Sequence, residues 1–533
     1  AWLALVPLLL VARAARPRAA FGWAWLSGMV FWTLTLSWFP AIIKNGGPWA
    51  LVILGQVALA AWCAVFLGLF AAVSSRVWRW AGDESGWRRV LAVLAIDPLV
   101  WAGTEYARGR LFSGFAWNFL GVSQVDNVAV IQVASLGGVY AVSALVLMVN
   151  GAAASLAARA AEPLLARAVG RPARGRPGDW IGRFWQSAEG LLPFAAAMAC
   201  WAWGCGRLAA WRRAEPGADR WRVALVQPNS PCVFEIDSDA ARAELRGRLL
   251  EQTRLAGAAR PDLTVWPETA LLGSVPYEEE TMRAAREGAA AAGGPLLTGA
   301  LEVERVARGP AAPQGLAFYN AAWLFSEGGE PMGRYRKQHL VPFGEYIPLD
   351  KRIPWLQRLA PTGVSCTPGD GPGVLTVSQG PGRELSLGPL ICFEDTVPAL
   401  SRRAVRTGAD LLVLMTNDAW FDGSIEPVQH LCQSVFRAVE NGVPLVRAAN
   451  SGVSCAVDPV GRVTRLESQT GGAVTDFTGF LVSSVTVPVQ PLPAPYTRYG
   501  DWLLAIPGMF LAFGLAFCGA VAKVCRRGGG GAA

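Results

Sequence analysis

The sequence predicts an α-helical transmembrane bundle joined to an α/β extracytoplasmic domain. Three observations carry that expectation. Apolar stretches near the ~20 residues a helix needs to cross the hydrocarbon fill the N-terminal part and recur once at the C-terminal end. The loops between them alternate between arginine-rich and arginine-poor. From about 212 to 500 the pattern changes to short β-rich runs alternating with helical stretches.

Composition agrees. Of 533 residues, 52% are hydrophobic and 17% charged, with a mean hydropathy of +0.31. That is too apolar for a soluble chain of this size. The 23 tryptophans suit a protein with bilayer interfaces. A net charge of +8 raises the question of nucleic acid. Many of the arginines, however, sit in short loops between apolar runs, where membrane orientation accounts for them, so no nucleic-acid partner is expected. Ten cysteines include no CxxC pair and histidine occurs twice, at His339 and His430. Metal-ligand spacing is absent, so no metal is expected. A Ser-His or Cys-His mechanism is disfavoured for the same shortage.

In chain order, residues 1–12 read as the end of a span. The chain opens on Ala1 inside an apolar run, so we expect an incomplete N-terminus. Further spans are expected near 20–40, 49–73, 90–107, 130–157, 190–210 and 502–522. The fourth stretch holds Asp97 and Glu105, which pair with Arg108 or Arg110 or sit near the interface, and the fifth holds a Gly137-Gly138 pair. The loops hold in turn Arg13, Arg16 and Arg18; Lys44; Arg76, Arg79, Arg88 and Arg89; Arg108 and Arg110; and then Arg159, Arg167, Arg171, Arg174, Arg176 and Arg183. The tail holds Lys523, Arg526 and Arg527. The positive-inside rule puts the rich loops in the cytoplasm. The expected division is therefore 1–211 transmembrane helices, 212–500 a periplasmic domain, and 501–533 a last helix with a cytoplasmic tail.

Within the outer domain, strands are predicted at Arg222–Val226, Leu263–Trp266, Leu296–Val303, Phe318–Phe325, Leu385–Phe393, Leu411–Thr416, Pro444–Ala449 and Val453–Val457. Helices are predicted over 238–256, 277–291, 396–407 and 426–441, with a hairpin turn at Gly328-Gly329. A long Pro/Gly-rich loop covers 344–372 and carries Trp355, Leu356 and Leu359.

Three spots place a reactive side chain at or just past a strand. Val265-Trp266-Pro267-Glu268-Thr269 puts Glu268 behind a proline. Arg336 to Glu345 brackets an apolar turn with Lys337 and Glu345. Leu387 to Asp395 is an apolar run ending in Cys392, Phe393, Glu394 and Asp395. Singly, each reads as a strand cysteine, a surface cation or a solvated acid. Together they make a chemical set. A thiol needs a base or a nearby cation to become a good nucleophile. Glu268 can take its proton, and Lys337 with the backbone N–H of Phe393 can hold an oxyanion.

These three motifs, in this order, resemble the Glu-Lys-Cys triad of the nitrilase superfamily. Joined to a multi-span membrane part, the chain resembles the bacterial apolipoprotein N-acyltransferase family. The resemblance includes Phe115-Ala116-Trp117-Asn118, Val223–Asn229, Trp266–Thr269, Lys337–Glu345, Ile391–Glu394, Thr416–Phe421 with Gln429-His430, and Arg437 to Asn450. It implies an αββα sandwich for the outer domain. It also implies Glu268 as general base, Lys337 as oxyanion stabiliser, Cys392 as nucleophile, Phe393 as backbone donor, and Glu345 and Glu394 as supporting acids. The implied partners are a phospholipid acyl donor and a diacylglyceryl apolipoprotein acceptor, at the bacterial inner membrane and with no cofactor. The chain departs from the family's usual residues at Ile236, where Phe234 is the nearest aromatic, at Ala116, and at Asp422-Gly423-Ser424. Two other readings stay open at this level. One is a membrane-anchored amidase that passes the acyl group to water. The other is a non-catalytic lipid-binding module, against which the three intact positions argue. A disulfide among Cys232, Cys366, Cys432 and Cys455 also stays open.

Overall fold

The computed structural model describes residues 1–82, 86–168, 180–231, 238–308, 315–349, 353, 365–469 and 471–505. Residues 506–522 of the predicted span at 502–522, residues 350–352 and 354–364 of the predicted loop 344–372, Phe234, Ile236, Cys232 and the tail cations lie outside them.

The N-terminal part is helical. It runs through α1 (Val6–Ala14), α2 (Pro17–Thr35), α3 (Ala41–Lys44) and α4 (Trp49–Ala81). Next, α5 (Gly86–Leu91) passes through a π turn at Ala92–Ile96 into α6 (Asp97–Arg108). Then come α7 (Val128–Ile131), α8 (Ala134–Ala168) and α9 (Trp180–Ala214). Among the described residues, three helical stretches are long and apolar enough to cross a membrane: Trp49–Ala81, Gly86–Arg108 and Ala134–Ala161. Pro17 sits in the first turn of α2, where the missing N–H removes no helical bond, and Pro98 comes just after the π turn inside the Gly86–Arg108 stretch. The acids in α6 are buried and accept hydrogen bonds from nearby donors. Asp97 accepts from the Trp78 indole (2.8 Å) and Glu105 from the Trp101 indole (2.9 Å) and the Leu120 N–H (2.6 Å). Arg108 donates to the Phe115 and Trp117 carbonyls, and Arg110 pairs with Asp501. Gly138, at φ +71°, breaks α8 near its start, and a Cβ there would lie 2.7 Å from the Tyr496 ring. The glycine pair thus lets the chain turn beneath a buried aromatic.

The second part is two packed sheets. The first contains β1 (Asp219–Gln227), β2 (Leu263–Val265), β3 (Leu271–Val275), β4 (Leu296–Arg305), β5 (Leu316–Phe325), β6 (Pro331–Arg336) and the late strand Gly479–Val487. The second contains β7 (Leu375–Ser378), β8 (Glu384–Ile391), β9 (Leu411–Thr416), β10 (Leu445–Ala449), β11 (Cys455–Val457) and β12 (Val463–Arg465). The late strand is β13, and it pairs antiparallel with β1 along its whole length. The strand order is β13-β1-β2-β4-β5-β6, with β3 beside β4, and β12-β11-β10-β9-β8-β7. Parallel pairing joins β1 to β2 and β8 to β9 to β10.

Alternation sets the inner faces. Val223 and Leu225 of the first sheet pack with Leu385, Leu387, Val413 and Val446 of the second, all buried. Each such side chain contributes about 1.5–3 kcal/mol. Helices α10 (Asp239–Gly257) and α11 (Glu279–Ala292) contact the first sheet's strands, and α12 (Pro398–Arg406) and α13 (Glu426–Asn441) the second's. The four helices form within two residues of the predicted bounds. A short α14 (Pro495–Tyr499) follows the last strand. The other face of α13 is also buried. Leu431, Val435 and Val439 share a core with Ile131, Val139 and Tyr140 of the N-terminal helices.

Eight strands were predicted, and the structure adds β3, β6, β7, β12 and β13. Four of these are six residues or shorter. The Gly328-Gly329 turn joins β5 to β6, with Gly329 at φ +79°. One boundary is corrected. The strand predicted to run to Phe393 stops at Ile391, because the Glu394 carboxylate accepts from the Ile391 N–H (2.9 Å) and bends the chain into a short 3-10 turn, Cys392–Thr396.

Candidate active site

Four side-chain positions lie just past strand ends: Glu268 after β2, Lys337 after β6, Cys392 after β8 and Asn417 after β9. Ligand sites in sheets built on parallel strands gather at such carboxyl ends. The sandwich brings the two sheets' ends together.

Lys337 is 1% exposed and lies between two carboxylates. Its Nζ is 2.9 Å from Glu345 Oε1 and 3.4 Å from Glu268 Oε1. Asn320 of β5 donates Nδ2 to both acids, at 2.7 Å to Glu268 and 2.6 Å to Glu345. The second oxygen of Glu268 accepts the Asn417 N–H (2.9 Å), and that of Glu345 the Val341 N–H (2.8 Å). Glu394 is fully buried and accepts from the N–H groups of Ile391, Gln338 and His339 and from the Tyr335 hydroxyl. It therefore ties the turn that carries Cys392 to the chain that follows Lys337. Cys392 itself sits at φ +51°, a left-handed conformation rare for a non-glycine residue. Holding it costs about 1–3 kcal/mol, which the surrounding bonds must offset.

Electrostatics assign the resting protons. Burial pushes the Cys392 thiol well above its usual range, and Glu268 adds to the rise while Lys337 opposes it. Burial alone would lower Lys337, but Glu345, Glu268 and Cys392 lift it well above the usual lysine value. It is an ammonium at neutral pH. Burial raises Glu268, with Lys337 pulling the other way. The arrangement is a protonated thiol, a fixed cation and a carboxylate of raised basicity. It suits proton abstraction from sulfur coupled to attack on a carbonyl.

An aromatic wall stands beside the thiol. The Phe393 ring stacks on Phe115 (6.2 Å between centroids, 18°), Trp117 (6.3 Å, 9°) and His339 (5.9 Å, 22°). Phe115 and Trp117 come from the segment after α6, so the N-terminal helices supply part of the site. The Trp38 and Trp117 indoles both donate to Gln429 Oε1, at 3.1 and 2.8 Å. Phe112, Phe343 and Leu349 are exposed apolar side chains on the neighbouring segments, which Ser113 and Tyr346 join by a 2.9 Å hydroxyl bond. A cavity of about 110 Å³ reaches Glu268 from the side of α10 and β3, between Leu245, Thr269 and Asn450.

All six predicted site residues are placed in or beside this cluster. Sequence reasoning assigned no role to Asn320, Asn417 or Gln429. The Thr416–Phe421 and Gln429-His430 runs carried a signal for the last two, whereas Asn320 lies inside a strand with nothing local to mark it. Asp418, Glu426 and His430 bring one donor atom each within 4.8 Å of one another. Those of Asp418 and His430 are already engaged by Arg447, Thr416 and Asp395, so the group is a hydrogen-bond network rather than an ion site. Among the described residues Cys366, Cys432 and Cys455 are free thiols.

Comparison with known proteins places this geometry. Residues 222–475 match the carbon-nitrogen hydrolase family, so the paired sheets and their helices are a nitrilase-like domain. Residues 1–152 match the apolipoprotein N-acyltransferase N-terminal domain. Apolipoprotein N-acyltransferase of Geobacter metallireducens is 32% identical over 97% of this chain and 91% of its own. That of Azotobacter vinelandii is 33% identical over 95% and 88%. The chain belongs to the apolipoprotein N-acyltransferase family. Among solved structures, the chain is similar to an amidase from Nesterenkonia sp. AN1, at 23% identity over 55% of this chain and 97% of the amidase, with a TM-score of 0.36.

Proposed function

We propose that this protein moves an acyl chain from a membrane phospholipid, through a thioester on Cys392, to the α-amine of a diacylglyceryl-cysteine at the N-terminus of an apolipoprotein. The observation that carries the reading is Lys337, buried between Glu268 and Glu345 and close enough to Cys392 to feel its charge, in a chain of this family. Glu268 takes the Cys392 proton as sulfur attacks the ester carbonyl. Lys337 and the Phe393 N–H hold the oxyanion. Collapse breaks the ester C–O bond, and the lysophospholipid alkoxide leaves with the proton from Glu268. The acceptor amine then attacks the thioester, Glu268 takes its proton, and the C–S bond breaks to leave an amide and the free thiol. The acyl donor is already an ester, so no further activation is required. Glu345 and Asn320 hold Lys337 in place, and Glu394 holds the nucleophile's turn.

The reading extends to placement. Residues 1–211 and 501–533 would cross the bacterial inner membrane, and 212–500 would stand in the periplasm with the site at the outer leaflet. The alternating arginine loops and the Phe115–Trp117 wall against Phe393 support this arrangement.

Cys392→Ser is expected to insert in the membrane and to lose transfer. Mass spectrometry of the wild-type protein incubated with phospholipid should find the acyl adduct on Cys392. An adduct elsewhere, or normal transfer by the variant, overturns the mechanism. Supplying a diacylated lipopeptide or water as sole acceptor separates transfer from hydrolysis.

A further inference from the structure

We propose that His430 is a positioning residue for this reaction: its two ring nitrogens tie the turn that carries Cys392 to the strand end that holds Glu268. The proposal rests on the catalytic reading above. His430 is on α13, is 2% exposed, and lies outside the proposed triad.

Its Nε2 is 2.9 Å from Asp395 Oδ1, and Asp395 is three residues after the nucleophile in the same turn. The other oxygen of Asp395 accepts from Ser434, one helical turn further along α13. On the opposite side Nδ1 is 3.3 Å from Asp418 Oδ1. Asp418 is next to Asn417, whose N–H holds Glu268 Oε2. The imidazole thus spans the chain segments that carry the nucleophile and clamp the base. Neither segment is bonded to the other's carboxylate directly.

Four ionisable groups face the ring. Asp395 and Asp418 lie across its two nitrogens. Glu426, one turn earlier on α13, has Oε1 3.7 Å from Nδ1. Arg447 of β10 has Nη2 3.2 Å from Nδ1 and 2.6 Å from Asp418 Oδ2. Asp395 across Nε2 and Asp418 across Nδ1 each call for a ring N–H, and the Arg447 donor beside Nδ1 opposes the second; with both N–H groups in place the ring is the imidazolium. Burial disfavours that charge, but Asp395 above all lifts His430 to about 10. Burial and Asp418 push Glu426 to about 8, which keeps it neutral at pH 7. The cations His430 and Arg447 then stand against the carboxylates Asp395 and Asp418, and the buried network closes without net charge. The Trp117 ring, which stacks on Phe393, packs against the imidazole at 5.7 Å.

The consequence reaches the thiol. The Asp418 charge already opposes thiolate formation at Cys392. Removing the imidazolium leaves that charge less neutralised and frees the nucleophile's turn.

The test uses the full-length protein in detergent, with Cys392 alkylation by iodoacetamide followed across pH by peptide mass spectrometry. His430→Gln is expected to move the alkylation midpoint upward by roughly one pH unit. Single-turnover acylation from a dioleoyl phospholipid should fall on the order of tenfold or more, with KM for the phospholipid unchanged. Asp395→Asn should give a similar loss in kcat, and the double variant should be no worse than the poorer single one, because both cut the same tie. An unchanged midpoint in a folded His430→Gln protein, or additive losses in the double variant, overturns the proposal. If His430→Gln does not fold, Asp395→Asn decides: an unchanged kcat overturns the tie, and a lowered kcat with constant KM upholds it. Alkylation requires no acyl donor, so the tie and the catalytic reading fail separately. A shifted profile in a protein that forms no thioester rejects the catalytic reading and keeps the tie.

Discussion

Lys337 is the residue on which the two halves of the site depend. It is an ammonium buried between Glu268 and Glu345, and its charge opposes the rise of the Cys392 thiol. Lys337→Met is therefore expected to do two things. Thioester formation should fall on the order of 100- to 1000-fold, the usual effect of losing an oxyanion donor. Stability should also drop, by about 3–5 kcal/mol, because the buried Glu268 and the half-buried Glu345 are left without their cation. Single-turnover mass spectrometry and thermal unfolding measure the two effects. A variant as stable as the wild type would mean that Glu268 and Glu345 share a proton instead. The side chains of the set were legible in the sequence because each lies in a run with its own character: Trp-Pro-Glu, the Lys337–Glu345 turn, and the apolar strand into Cys392. Asn320 was not, since its role depends on two carboxylates 52 and 25 residues away.

At the scale of elements, α13 is the member that joins the parts. Its first turns carry Gln429 and His430, which reach the aromatic wall and the turn that carries Cys392. Its last turn carries Glu440, which accepts the Val139 N–H (2.8 Å) where α8 resumes after its glycine break. That carboxylate caps a half-helix of the N-terminal part from within the nitrilase-like domain. Burial pushes Glu440 up to about 7, with Arg437 opposing. Its folded value lies above the ordinary carboxylate value, so the folded protein holds a proton that the unfolded chain releases. The stabilisation is full below about pH 4.5, shrinks as pH rises, and is gone above about pH 7. Its size is at most a few kcal/mol, at about 1.4 kcal/mol per pKa unit. Glu440→Gln should flatten the fall in thermal midpoint between pH 5 and 7. An equally steep fall in the variant would assign the pH dependence to another group. The helical period of α13 was plain in the sequence. That both its faces are buried was not, because its partner residues lie some 300 positions earlier.

For the whole molecule, the arginine pattern and the placement of the Phe115–Trp117 segment lead to one arrangement. Under the proposed topology the thiol should stand on the outer side of the membrane. A thiol reagent that does not cross membranes, applied to intact cells, is expected to label Cys392. Labelling that appears after lysis alone would reverse the proposed topology.

By itself the sequence determined the division into apolar helices and a layered α/β domain, because hydropathy and strand alternation are local properties of the chain. It also determined which residue types could do thiol chemistry, since the near absence of histidine leaves a carboxylate as the available base. Tertiary structure decided what surrounds those residues. Asn320 between two acids, Gln429 beneath two indoles, His430 between two aspartates and the end of β8 at Ile391 all arise from segments far apart in sequence. Burial is a property of the packed whole, and it is burial that lifts the Cys392 thiol and makes a base necessary.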